Sequence, residues 1–166
     1  MCMRCEGYSA EEIERATDLT IITNGYLLLR VTDEYNPWSY TVGLRESYDH
    51  PELVCVDTSI VRQDQMIRLL ADEVADRGRI DDDVLRDADI ELLVVDEVHL
   101  RDDLVVVWEE RYDRSAQTGD FLQIRLGPSW YCEHHADAAR RLDDPAAGPP
   151  ARPNRARRRA AEKRRR

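Results

Sequence analysis

Short apolar stretches bounded by turn-forming residues are the feature that most limits how this chain can fold. They alternate apolar with polar residues or are rich in β-branched and aromatic side chains, which suit a pleated surface. The stretches are residues 26–31, 38–43, 52–56, 90–95 and 122–126. The sequence therefore predicts about five strands, and the first two are expected to pair antiparallel around a turn at 33–37.

A capping box predicts where the first helix begins. Ser9 is followed three residues later by Glu12, and in this motif each side chain satisfies a backbone N–H at the helix start. Gly25 supplies the residue that most easily adopts the left-handed turn at a helix end. We therefore predict a helix over residues 10–23.

A second helix follows the cap-forming residues 57–59 and ends at Gly78. Its predicted apolar stripe consists of Met66, Leu69, Leu70 and Val74. Residues 104–112 are predicted as a further helix, although the β-branched run at 105–107 by itself favours a strand. A short helix is also expected over 134–142.

The remaining segments are predicted as connections, with a polar loop at 45–50 and a solvated turn at 81–83. We expect one α+β domain over residues 1–143. Its sheet should be mainly antiparallel, with about five strands packed against two or three helices. Residues 144–166 are rich in proline, alanine and arginine and are predicted to form a disordered tail.

Charge is divided unequally between these two parts. Residues 145–166 hold nine Arg or Lys and one Glu, a net +8, so the rest of a chain with net charge -10 carries -18. An acidic body repels phosphates, and any contact with nucleic acid is therefore expected to run through the tail and to be non-specific. The tail is equally able to fold back onto the acidic body or to serve only for solubility.

The sequence shows no apolar segment of membrane-spanning length and no export signal, so we expect a cytoplasmic protein that makes no membrane contact. Thiols are kept reduced in that compartment. The four cysteines are therefore interpreted as free thiols or metal ligands rather than as disulfides.

Cysteine and histidine near the two ends of the predicted domain match the ligand chemistry of zinc. Cys2 and Cys5 have a chelating spacing, while Cys132 and His135 are three residues apart and share a face if the segment is helical. We predict a structural zinc site formed by these four side chains, with no open position for water. The alternative is that they bind no metal, and a thioredoxin-like role is disfavoured because no strand precedes Cys2.

His50 is the candidate for an enzyme or small-ligand site. Asp49, Glu52 or Asp57 would orient it as a general base, whereas the simpler interpretation is a loop residue that starts a strand. The sequence contains no nucleophile elbow, glycine-rich phosphate loop or calcium loop. The aromatic residues are expected in the core, or lining a pocket.

Two segments carry a family resemblance, Tyr-Thr-Val-Gly-Leu at 40–44 and His-Pro-Glu-Leu-Val at 50–54. Together they resemble the signature of bacterial domain-of-unknown-function family 4262. Supporting pieces are Cys2-x-x-Cys5, Asn-Gly-Tyr at 24–26 and Leu-Gln-Ile at 122–124, so the resemblance spans roughly residues 2–143. It implies an α+β fold and a bacterial cytosolic context, and it transfers no catalytic residue.

Overall fold

A single mixed sheet of five strands organises the protein, whose computed structural model describes residues 7–31, 37–56, 58–100 and 105–130. The strands are β1 Leu27–Val31, β2 Trp38–Val42, β3 Glu52–Val56, β4 Ile90–Val94 and β5 Phe121–Leu126. Their order across the sheet is β1-β2-β3-β5-β4. All five coincide with stretches predicted from the sequence.

Three of the four strand pairings are antiparallel, namely β1 with β2, β2 with β3, and β4 with β5. The exception is the central pair, in which β3 and β5 run parallel with Leu53 opposite Leu122. Parallel neighbours require a crossover connection, and here the long segment between the two strands provides it. The prediction of a mainly antiparallel α+β fold is confirmed.

The described residues form six α-helices: α1 Ala10–Asn24, α2 Leu44–Tyr48, α3 Ile60–Arg77, α4 Asp82–Asp87, α5 Glu97–Leu100 and α6 Val106–Tyr112. Of these, α1, α3 and α6 were predicted. The other three are short, and two of them replace the predicted loop at 45–50 and the predicted turn at 81–83. In α4, Asp82 and Asp83 occupy the first turn, where negative charge favours a helix start.

The predicted helix caps are present in the structure. The backbone N–H of Ser9 donates to Oε2 of Glu12 at 2.8 Å, and the backbone N–H of Glu12 donates to Oγ of Ser9 at 3.3 Å. Gly25 ends α1 in the left-handed conformation. Ser59 caps the start of α3, which ends at Gly78 as expected.

Helices cover both faces of the sheet, so the fold has two apolar cores. One contains Ile21 of α1, Leu100 of α5 and Trp108 of α6. The other contains Leu44 of α2 and the buried face of α3. As a consequence, both faces of the central strands are buried.

This double coverage corrects two details of the sequence analysis. The alternation of apolar and polar residues in 38–43 predicts one buried and one polar face for β2, yet Ser39 and Thr41 on the polar face are fully buried. The reason is that α3 packs there, and Ser39 Oγ donates to Oε1 of Gln63 at 2.9 Å. Leu69, predicted on the apolar stripe of α3, is instead 39% exposed, and Ile67 is buried there.

No helix within the described residues combines the length and the apolar character needed to cross a bilayer. The turn at 33–37 is described only at Pro37, while the helix expected at 134–142, the end of the domain near 143 and the basic tail lie outside the described residues.

Candidate functional site

The predicted zinc ligands Cys2, Cys5, Cys132 and His135 all lie outside the residues that the structure describes. The zinc site therefore stays a prediction. Cys55, the cysteine within the described ranges, is fully buried in the core beside α3. No cluster of three or more potential metal ligands occurs in the described part of the chain.

The two signature segments meet at one side chain, the carboxylate of Glu52. Its Oε2 accepts a hydrogen bond from the hydroxyl of Thr41 at 2.7 Å, and its Oε1 accepts one from the backbone N–H of Gly43 at 2.8 Å. Longer bonds of 3.3 Å come from the backbone N–H groups of Leu44 and Arg45. Glu52 thus caps the start of α2 from the first residue of β3.

Burial dominates the electrostatics of Glu52, which is fully shielded from solvent. Burial raises the pKa of the Glu52 carboxyl, and the hydrogen bonds from Thr41 and the three backbone amides act against that rise. Thr41 also accepts the backbone N–H of Leu53 at 2.8 Å. The side chains of both segments are therefore joined in one continuous buried network.

Gly43 allows the backbone to approach this carboxylate. Its φ of +114° lies in the region that side chains disfavour, and a Cβ there would lie 2.9 Å from Cγ2 of Ile21. The glycine of the signature is therefore required both by the turn into α2 and by the packing of α1. Leu44, the next residue, is fully buried in the opposite core.

His50 is half-buried and lies at the start of the second signature segment. Its Nδ1 lies 2.7 Å from the carbonyl oxygen of Pro51. Burial lowers the pKa of His50, and the contact with that carbonyl partly opposes the shift. Within the described residues no hydrogen bond connects His50 with Asp49 or Glu52, so the orienting pair proposed for a general base does not form there, and Asp57 lies outside them.

Asp120 is a second buried carboxylate at the same end of the sheet, immediately before β5. It accepts from Nη1 of Arg45 at 2.7 Å, from both terminal nitrogens of Arg114 at 2.6 and 2.8 Å, and from the backbone N–H of Gln117 at 2.8 Å. Burial acts to raise the pKa of Asp120, but the bonds from Arg114 and Gln117 outweigh it and hold that pKa below its usual value. The carbonyl of Asp120 accepts the N–H of Glu52 at 2.9 Å, which connects the two carboxylates through the backbone.

Aromatic side chains close this end of the sheet. The guanidinium of Arg114 lies 4.6 Å from the ring centre of Trp108, and that ring packs against Tyr112 and Phe121. Burial and the nearby charge of Glu52 raise the pKa of Tyr112. Trp108, which was predicted to be a core residue, and Phe121 are fully buried, and Tyr112 is partly buried beside them.

A surface groove is the other candidate site. It encloses about 370 Å³ and lies along β1 between α1 and α3. Its lining residues are Thr20, Asn24, Tyr26, Leu27, Leu28, Arg30, Arg68 and Asp72. The lining combines partly buried leucines with two guanidinium groups.

Sequence reasoning named Glu52 only as a partner for His50, and it missed Asp120 and the groove. One signal for Glu52 was available, because an acidic residue opens an otherwise apolar strand, Glu-Leu-Val-Cys-Val. A buried carboxylate in that position needs donors, and the adjacent Thr and Gly of the first segment supply them. No comparable signal marks Asp120 or the groove.

A family model described as "Domain of unknown function (DUF4262)" matches residues 20–125. The match contains both signature segments and ends inside β5. No curated protein and no solved structure matches the chain.

Proposed function

The chain belongs to the DUF4262 family, and from this membership we propose that its domain is a non-catalytic module whose two ends are fastened by zinc. The observation that carries the proposal is the use of the family signature inside the fold. The Thr41 hydroxyl and the Gly43 amide both donate hydrogen bonds to the Glu52 carboxylate. A catalytic carboxylate must instead present an oxygen to a substrate.

Burial supports the same interpretation. Glu52 is fully shielded from solvent, and its two oxygens together accept four hydrogen bonds from the protein. A substrate reaching it would have to displace α2. The hydrogen bonds of the signature residues are therefore best explained as the contacts that position α2 against β2 and β3.

The zinc part of the proposal rests on Cys2, Cys5, Cys132 and His135, and the described residues next to them favour it. Trp130, two residues before Cys132, is fixed by its own indole N–H, which donates to the carbonyl of Ala88 at 2.6 Å. Arg62 donates to the carbonyl of Trp130 at 2.7 Å. A ligand pair next to an anchored residue loses less conformational entropy when it binds metal.

At the other end, the capping box fixes the start of α1 through a local contact. Ser9 lies four residues after Cys5 and is held by its reciprocal bonds with Glu12. A zinc ion shared between the two ends would close a loop that contains the whole described domain. Closing a loop of that length stabilises the folded state by restricting the unfolded chain.

The test measures metal in the full-length chain, purified without a metal-affinity tag. We expect close to one zinc per chain by mass spectrometry, and a lower melting temperature after chelation. The double variant Cys2→Ser/Cys5→Ser should contain no zinc and should melt at the same temperature with and without chelator.

Cys55→Ala is the matched control, because it removes a cysteine that is buried in the core. It should lower stability through the lost packing and still contain zinc. Wild-type protein that contains no metal and does not respond to a chelator would refute the zinc site.

A further inference from the structure

The outer edge of the sheet formed by the described strands, at β1, lies in the groove. Within the described residues β1 pairs only with β2, so its other side presents backbone N–H and C=O groups to no strand. The floor of the groove is formed by residues of this edge, Tyr26, Leu27, Leu28 and Arg30. The groove therefore follows the line that a further strand would take.

Two helices form the walls, one on each face of the sheet. Thr20 and Asn24 of α1 line one wall, and Arg68 and Asp72 of α3 line the other. Each pair is four residues apart and so lies on one side of its helix. A single extended chain fits between such walls, whereas a second copy of this protein would bring its own α1 and α3 against them.

The charges in the groove indicate which side chain the occupant carries. Arg30 is already paired, with its Nε 2.8 Å from both carboxylate oxygens of Asp64. Asp72 accepts the hydroxyl of Tyr26 at 3.0 Å, and burial together with that bond raises the pKa of Tyr26 to about 12. Arg68 lies beside the hydroxyl of Tyr26 and makes no ion pair within the described part of the chain, so its positive charge is complementary to a carboxylate.

We infer that the groove binds an extended peptide with an acidic side chain, which adds to β1 as a sixth strand. Main-chain hydrogen bonds to this edge supply affinity, and successive peptide side chains, which point to opposite faces of the sheet, contact Leu27 and Leu28. The acidic side chain pairs with Arg68. The five residues of β1 span about 17 Å, so the bound segment is about five residues long.

The test screens a random heptapeptide library, displayed on phage, for peptides that bind the full-length chain. Enriched peptides are then synthesised and titrated by fluorescence polarisation. We expect them to alternate apolar residues with at least one Asp or Glu. Methylating the backbone nitrogens of alternate peptide residues should weaken binding about tenfold or more, because strand addition depends on those groups.

Two neighbouring variants locate the site. Thr20→Arg fills the groove and should weaken binding at least about tenfold. Leu19→Arg places the same side chain one residue away, where the native residue is 66% exposed and does not line the groove, and should leave binding unchanged. Arg68→Ala should remove the preference for a peptide with Asp over the same peptide with Asn.

The inference is independent of the zinc site, because no groove residue is a predicted metal ligand. It is overturned if no peptide is enriched over an empty support. It is equally overturned if the enriched peptides bind the Thr20→Arg variant as tightly as the wild type.

Discussion

The signature end of the sheet and the β1 edge treat their polar groups in opposite ways. At the signature end, Glu52 and Asp120 are both buried, and each accepts hydrogen bonds from side chains and backbone of the protein itself. At the β1 edge, the backbone of Leu27–Val31 pairs with β2 on one side and with no strand of the described residues on the other, and its three leucines are only partly buried. The first region uses its hydrogen-bonding capacity internally, and the second offers it to a partner.

This difference separates what holds the domain together from what is available for binding. A buried carboxylate whose donors are all supplied by the fold stabilises one arrangement of the chain, and losing it is costly. An open edge contributes little to stability and is where recognition is expected. The family signature at 40–44 and 50–54 therefore has a structural role, and the groove along β1 is the candidate binding site.

The largest expected effect is the loss of the Glu52 carboxylate. Glu52→Gln replaces one oxygen by an amide nitrogen that faces backbone donors, so at least one buried N–H loses its acceptor. We expect the free energy of unfolding to fall by about 3 kcal/mol, measured by urea denaturation.

Glu91→Gln is the control for this substitution. Glu91 is also a strand glutamate, but it is exposed and pairs with Arg125 at the surface. Its replacement should cost less than about 1 kcal/mol. Equal losses for the two variants would contradict the special role of the signature carboxylate.

The second effect tests the backbone at Gly43. Gly43→Ala adds a methyl group at positive φ and against Ile21, and should destabilise the protein by about 2 to 3 kcal/mol in urea denaturation. At Gly78, φ is +73° and nothing lies within 4 Å of an added Cβ, so Gly78→Ala tests the backbone strain without the clash. A loss at Gly43 no larger than that at Gly78 would show that Ile21 moves aside.

The third effect concerns acid stability through Asp120. Its pKa is lower in the folded protein than in the unfolded chain, so its contribution is complete above the unfolded value of about 3.9 and is lost as the pH falls through the folded value. Asp120→Asn should lower the free energy of unfolding by about 2 kcal/mol at pH 7. The same variant should lose less additional stability than the wild type when the pH is taken below about 4.

Thermal or urea unfolding at several pH values checks this prediction. A parallel loss in wild type and Asp120→Asn would mean that the ion pairs of Asp120 do not contribute.

The smallest expected effect lies at the open edge. Arg68→Ala removes a guanidinium that makes no ion pair within the described residues, and it should change the free energy of unfolding by less than about 0.5 kcal/mol. Urea denaturation measures this. If Arg68→Ala lowered the free energy of unfolding as much as Asp120→Asn does, Arg68 would contribute to the stability of the domain. The proposed difference between the two regions would then be wrong.

Sequence reasoning succeeded where the signal lies within one turn or one strand. The capping box of Ser9 and Glu12, the ends of α1 and α3 and all five strands were predicted, because each depends on residues only a few positions apart. It failed for α2, because this helix begins at Gly43 and is capped by a carboxylate from the following strand. Residues 45–50 by themselves therefore do not indicate a helix.

The candidate site was less predictable than the fold. His50 and Glu52 were named together, yet Glu52 bonds Thr41 and the backbone of α2 rather than the imidazole. Asp120 escaped notice because no sequence pattern marks its bonds with Arg114, six positions away, or with Arg45, 75 positions away along the chain. The zinc ligands, the polyanion contact through the tail and the cytoplasmic location stay predictions.

The sequence by itself determined the five strands, the helices α1, α3 and α6, and the family to which the protein belongs. Only the tertiary structure decided that β3 and β5 run parallel, that both faces of β2 are buried, and that β1 is the edge strand among the described residues. The physical reason is the distance along the chain over which each property is determined. Caps and alternation depend on neighbours in the chain, whereas burial and free hydrogen-bonding groups depend on which distant segments pack against a strand.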